Sequence, residues 1–131
     1  METRDRLRRF VVTPEEAESY TPPRHIGTTN LLYLARDQLG SKQFEVVMGR
    51  PVPGGGGEPH FHDRTEQLIF VLQGRGLSEM EGQQFEIGPR TLVFHPPGQV
   101  HRELAVTEDF EALVIYSPPF GVKNAAAFKN R

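Results

Sequence analysis

From Asn30 onward the chain divides into short runs in which apolar and polar residues alternate, and most of them stop at glycine or proline. "NLLYLA" (30–35) is followed by "QFEVVMGRPV" (43–52), in which Phe44, Val46 and Met48 alternate with Glu45, Val47 and Gly49. "EPHFH" (58–62), "QLIFVLQ" (67–73), "GLSEM" (76–80), "QQFEI" (83–87), "TLVF" (91–94), "VHRELAV" (100–106) and "FEALVIYS" (110–117) continue the series. Period-two alternation over a few residues marks a strand with one face on a core. Glu81-Gly82 reads as a tight hairpin turn between two of these strands. Many short strands separated by turn residues predict an all-β sandwich or barrel. "QLIFVLQ" is apolar on both faces, which predicts a central strand between the core and a second covering surface.

The ends of the chain read differently. Residues 1–29 lack the alternation and form an expected N-terminal arm. Within it Thr13, Pro14 and the acids after them predict one or two helical turns, stopped by Pro22 and Pro23. Residues 30–118 are the expected barrel, with "GGGG" (54–57) as a flexible loop at its mouth, and 119–131 a tail with a short helix or a frayed end.

Composition narrows the classes. At 131 residues one domain is expected, and a net charge of −2 with a pI near 6.2 offers nothing to nucleic acid or an anionic membrane. The absence of cysteine excludes disulfides, thiolate ligands and a cysteine nucleophile. "METRDRLRRF" has no apolar signal core, and "LIFVL" is far shorter than the roughly 18 residues of a membrane span. A cytoplasmic protein is expected.

The candidate chemistry lies in the histidines. His60 and His62 are two apart in an extended run, so both imidazoles can face one metal ion while Phe61 faces away. His101 opens another strand directly after the rigid Pro96-Pro97-Gly98 turn. With no cysteine present, a further ligand has to be a carboxylate, an amide or water. "GGGG" is no phosphate loop, because neither a helix pattern nor Gly-Lys-Ser/Thr follows it.

These residues resemble the two motifs of the cupin superfamily. Gly54, His60, His62, position 67 and Gly74 follow the first, and Pro96, Gly98 and His101 follow the second in register. Arg90 stands where the second motif begins with glycine, and Ala105 replaces its asparagine. The resemblance covers about residues 30–118. It implies a jelly-roll barrel, one divalent transition metal ion (Mn, Fe, Ni, Zn or Cu) held by three histidines and usually a glutamate, and dimerisation through an outer sheet face. A homodimer is therefore expected.

The glutamate of the family pattern falls on Gln67 when counted back from Gly74, while the shorter spacing from His62 reaches Glu66. Strand parity groups Gln67 with Ile69 and Val71, and Glu66 with Leu68 and Phe70, which favours Gln67 as the inward ligand unless a bulge intervenes. A glutamine leaves the ion its full positive charge. That lowers affinity, strengthens Lewis acidity and favours an anionic small molecule.

Glu103 shares the parity of His101, so it and Glu66 are the candidates for moving a proton. His25 and Arg24 are candidate substrate contacts should the arm close over the site, and His95 reads as a structural or surface histidine. Two functions remain open. One is a metalloenzyme of dioxygenase, isomerase, cyclase or lyase type acting on an oxygen-bearing small molecule; the other is a sensor-like or sequestering ligand-binding module.

Overall fold

The computed structural model describes residues 2–130, the side chains at positions 36 and 37 excepted. Its strands are β1 (Glu18–Tyr20), β2 (His25–Leu34), β3 (Glu45–Gly57), β4 (Glu66–Gln73), β5 (Gly76–Met80), β6 (Gln83–Ile87), β7 (Leu92–His95), β8 (His101–Ala105) and β9 (Glu111–Ser117). All pairings between them are antiparallel, in the order β6-β5-β8-β3-β9-β4-β7, with β2 on β3 and β1 on β2. β3 joins the two halves. Its residues 45–49 pair with β9, and Gly56 near its other end pairs with Leu104 of β8. This long strand curls the sheet on itself into the barrel that the alternation predicts, with the jelly-roll form that the cupin resemblance implies.

The core follows the parity of the strands. Val47, Ile69, Val71, Val93, Ala112 and Val114 are buried on the inner faces of β3, β4, β7 and β9. Each such aliphatic side chain contributes about 1.5–3 kcal/mol on burial, or less for alanine. β4 is central, between β7 and β9, and apolar on both faces as expected. Its outer residues Phe70 and Leu72, with Leu92 and Phe94 of β7, are 38–59% exposed.

Three expectations are corrected. "GGGG" is not a loop but the end of β3, pressed between β2 and β8. A Cβ at Gly55 would lie 2.5 Å from the Ile26 carbonyl oxygen, and one at Gly56 would lie 2.7 Å from that of Glu103. Gly55 and Gly56 let three strands approach closely. In the arm, the Thr13 segment closes a single turn before β1 begins at Glu18, with the Glu16 carboxylate accepting from Thr13 N and Oγ1 at 3.1 and 2.8 Å. The regular helix there is α1 (Thr3–Arg8), which buries none of its residues. A second short helix, α2 (Arg36–Leu39), links β2 to β3. β2 itself begins at His25, five residues earlier than the "NLLYLA" run suggests.

Candidate metal centre and cavity

The two histidine segments are zipped to each other. His60 N donates to the His101 carbonyl at 3.0 Å, His101 N donates back at 2.8 Å, and Gly98 N donates to the His62 carbonyl at 2.8 Å. On its other side Phe61 exchanges two hydrogen bonds, of 2.9 and 3.0 Å, with Lys129 of the tail. This fixed extended backbone turns His60 and His62 to one face, where both meet His101. All three are buried, and their nitrogen ligand atoms lie within 4.8 Å of one another.

Each ring is oriented by a backbone carbonyl. His60 Nδ1 donates to Glu58 O at 2.7 Å, His62 Nδ1 to Ala127 O at 2.7 Å, and His101 Nδ1 to Gln99 O at 2.9 Å. A neutral imidazole carries one proton, so these bonds leave Nε2 as a lone pair on all three rings. Burial keeps the rings neutral. It pushes His62 down to about 4 and His101 to about 2, helped by neighbouring histidines, and lowers His60 against the pull of its Glu58 hydrogen bond. His62 Nε2 is buried with no hydrogen-bond partner. Three convergent lone pairs, one of them orphaned, are a donor set suited to a divalent transition ion.

Gln67 and Glu66 are separated by the parity of β4. Gln67 is 5% exposed and turns its Oε1 to 2.9 Å from His101 Nε2, whereas Glu66 is exposed on the outer face. With the His101 proton given to Gln99, Gln67 stands beside the free Nε2 lone pair, within reach of any cation that lone pair would hold. Glu66 is not brought to the site, which removes the geometry for the proton-moving role expected of it. Arg90, in the place of the motif's glycine, has φ of 66°, a left-handed conformation that glycine adopts without strain.

Glu103 is turned inward and is built into a network. Its Oε2 accepts from Ser78 Oγ at 2.7 Å and lies 2.7 Å from His95 Nε2. His95 Nδ1 lies 2.6 Å from Gln99 Oε1, and the His95 ring stacks on His101 at 4.0 Å and 12°. The reading of His95 as a structural or surface histidine missed this place beside the site, for His95 is 1% exposed. Parity held the signal, since His95 shares the inward face with Val93. Burial disfavours its charge, but the hydrogen bond and charge of Glu103 outweigh that and raise its pKa.

A cavity open at its mouth adjoins these groups. His60, Gln67 and Glu103 line it, as do His25, Thr28 and Asn30 of β2. His25 therefore reaches the cavity, hydrogen-bonded to Thr28 Oγ1 at 3.0 Å and held neutral by burial, with its pKa near 4. Arg24 does not; it is exposed and pairs with Glu58 at 3.8 Å.

The tail also joins the site. Phe120 stacks on His62 at 4.6 Å, and Phe128 lies 5.0 Å from His60. The Glu45 carboxylate, 2% exposed, secures this tail by accepting from the backbone N–H groups of Phe120, Gly121 and Val122 at 2.7, 2.7 and 3.4 Å. Phe120 and Phe128, the two aromatic residues of the tail, were the available sign.

A jelly-roll barrel with inward histidines from two zipped segments defines a class, and comparison with known proteins agrees. The family model for the cupin domain matches residues 48–116, more than half of the chain, and the chain belongs to that family. An uncharacterized protein of Streptomyces coelicolor is 29% identical over 62 residues, covering 47% of this chain and 56% of its own length. The match thus spans little more than half of that relative. The polyketide cyclase RemF of Streptomyces resistomycificus superposes with a TM-score of 0.70 at 24% identity, over 82% of this chain and 78% of its own. Pac13, a nucleoside dehydratase from Streptomyces, superposes with a TM-score of 0.70 at 19% identity, over 92% of both chains. At these identities the likeness is one of fold.

Proposed function

We propose that the protein is a metal-dependent enzyme that rearranges an oxygen-bearing small molecule by proton transfer, in the manner of an isomerase, cyclase or lyase. His60, His62, His101 and Gln67 would hold one divalent transition ion, zinc or manganese being favoured by a reaction without electron transfer. The ion, when bound, supplies Lewis acidity toward a substrate oxygen. The observation that carries the reading is the convergence of three Nε2 lone pairs beside a cavity that His60, Gln67 and the Glu103 carboxylate line.

Glu103 would hold and pass the proton. Ser78 and His95 both bind Oε2, so they orient the carboxylate without occupying Oε1. Its proximity to the cavity is what a general base requires. RemF and Pac13, a cyclase and a dehydratase, do related chemistry on the same fold, which supports the reaction class. The apolar outer face of Leu68, Phe70, Leu92 and Phe94, contiguous by register, supports a homodimer. No described helix is long and apolar enough to cross a membrane, and the cysteine-free chain is in keeping with cytoplasmic residence.

The test is elemental analysis of protein purified without chelator, followed by turnover of a panel of hydroxylated and keto compounds in deuterated water. Near-stoichiometric metal, solvent deuterium in the product and no oxygen uptake are expected. Absence of a transition metal, or turnover coupled to oxygen consumption, would overturn the reading.

A further inference from the structure

Asn30 is a polar cavity residue that the protein leaves unsatisfied. It is 6% exposed on the inner face of β2, and its Nδ2 approaches the Tyr20 hydroxyl at 3.5 Å. Its Oδ1 is buried with no partner. An unpaired buried acceptor forfeits its hydration, so an apolar residue would serve the barrel better unless a donor arrives from outside the chain. The wall beside this oxygen is built of small residues. Gly49 is the register partner of Asn30, and a Cβ there would stand 3.3 Å from Oδ1. Ala112, paired with Gly49 on the next strand, is also small.

Charge supplies the second argument. Among the described residues lining the cavity there is no lysine or arginine, and Glu103 is its one carboxylate. A phosphate or carboxylate arm would meet a like charge and have no cation except the metal. The full positive charge left by Gln67 argues for an anion at the ion itself, but the walls offer such a ligand nothing more.

We propose that the cavity takes an uncharged, multiply hydroxylated small molecule, one hydroxyl of which donates to Asn30 Oδ1. This deepens the enzymatic reading and rests on it only in assuming that the far end of the molecule is what the metal centre acts upon. Asn30 is then a recognition group and Gly49 the residue that leaves room for it.

The test uses the full chain loaded with zinc and probes matched in pairs: catechol against protocatechuate, and glucose against glucose phosphate. Affinities are read by calorimetry and saturation-transfer NMR. In at least one pair the neutral member should bind more tightly by about tenfold or more. Asn30→Leu should weaken that binding by about tenfold, the worth of one hydrogen bond, with unchanged zinc content. Gly49→Ala, which presses a methyl toward Oδ1 and removes no hydrogen bond, should weaken it several-fold and decides the matter if Asn30→Leu does not fold. Tighter binding of the anionic members, no binding by any neutral probe, or wild-type affinity in the folded variants would each overturn the proposal. Should the wild-type chain take up no zinc, the metal reading falls, and the same titrations on metal-free protein still decide the role of Asn30.

Discussion

Glu45 and Glu103 are both carboxylates turned into the barrel, and they differ in what satisfies them. Glu45 is 2% exposed and accepts three backbone N–H groups of the tail, divided between its two oxygens. Glu103 accepts from one hydroxyl and one imidazole, both on Oε2, and borders the cavity. Backbone donors cannot change protonation state or leave, so the first carboxylate is locked as part of the fold. The second has partners that exchange protons and an oxygen outside their hold. Two residues of one type thus divide into an anchor and the proposed proton carrier by surroundings alone.

The sharpest test of that contrast is Glu103→Gln. It keeps the shape and an acceptor, so the folded state should change by less than about 1 kcal/mol, while turnover falls by about 10²–10⁴-fold as expected for loss of a general base. Thermal unfolding and a single-turnover assay read the two effects, and comparable loss in both would erase the distinction. Glu45→Ala should do the reverse. Three orphaned backbone donors cost on the order of 3 kcal/mol in denaturant unfolding. Phe120 loses its hold beside His62, while Lys129 stays zipped to Phe61 and keeps Ala127 O near the ring, so zinc affinity should fall by less than about tenfold. Unchanged stability would contradict the anchoring role.

A smaller effect comes from acid. His62 and His101 have folded pKa values of about 4 and about 2, below the 6.5 of an unfolded histidine. The unfolded chain therefore takes up their protons first. The stability these residues carry is whole above pH 6.5 and is lost as pH falls toward the folded values. The slope is about 1.4 kcal/mol per pH unit for each group. His95, whose folded pKa is raised, works in the opposite sense: its contribution is present below its unfolded pKa and lost as pH rises through the folded one. Denaturant titration of metal-free protein between pH 7 and 5 should show a net loss on acidification; a flat profile would mean the rings are not buried as neutral bases. Smallest of all, Glu66→Ala should leave zinc affinity unchanged, since Glu66 points away from the site; a loss would show that β4 enters the barrel in the other register.

Much of this arrangement was legible in the sequence because it depends on local periodicity. Alternation located most of the strands, and the fixed count from Gly74 put Gln67 inward and Glu66 outward, as β4 presents them. Two stacking partners of His62 and His101 were not legible for different reasons. Phe120 reaches the site only through Glu45, 75 residues away, a long-range bond with no periodic trace. His95 was accessible to the same parity argument, but its adjacency to the proline turn pointed to the barrel mouth. "GGGG" reads as a loop on composition alone; only the crossing of β2, β3 and β8 explains why side chains are excluded there.

The proposed centre consists of three imidazoles that would present Nε2 to one ion while Nδ1 keeps its proton. The chain has five histidines, so nitrogen-15 labelling of histidine resolves them all. On addition of one equivalent of zinc, Nε2 of His60, His62 and His101 should shift to metal-bound values with Nδ1–H retained, while His25 and His95 keep their free-ring signatures. Fewer than three coordinated rings, or coordination through Nδ1, would contradict the site.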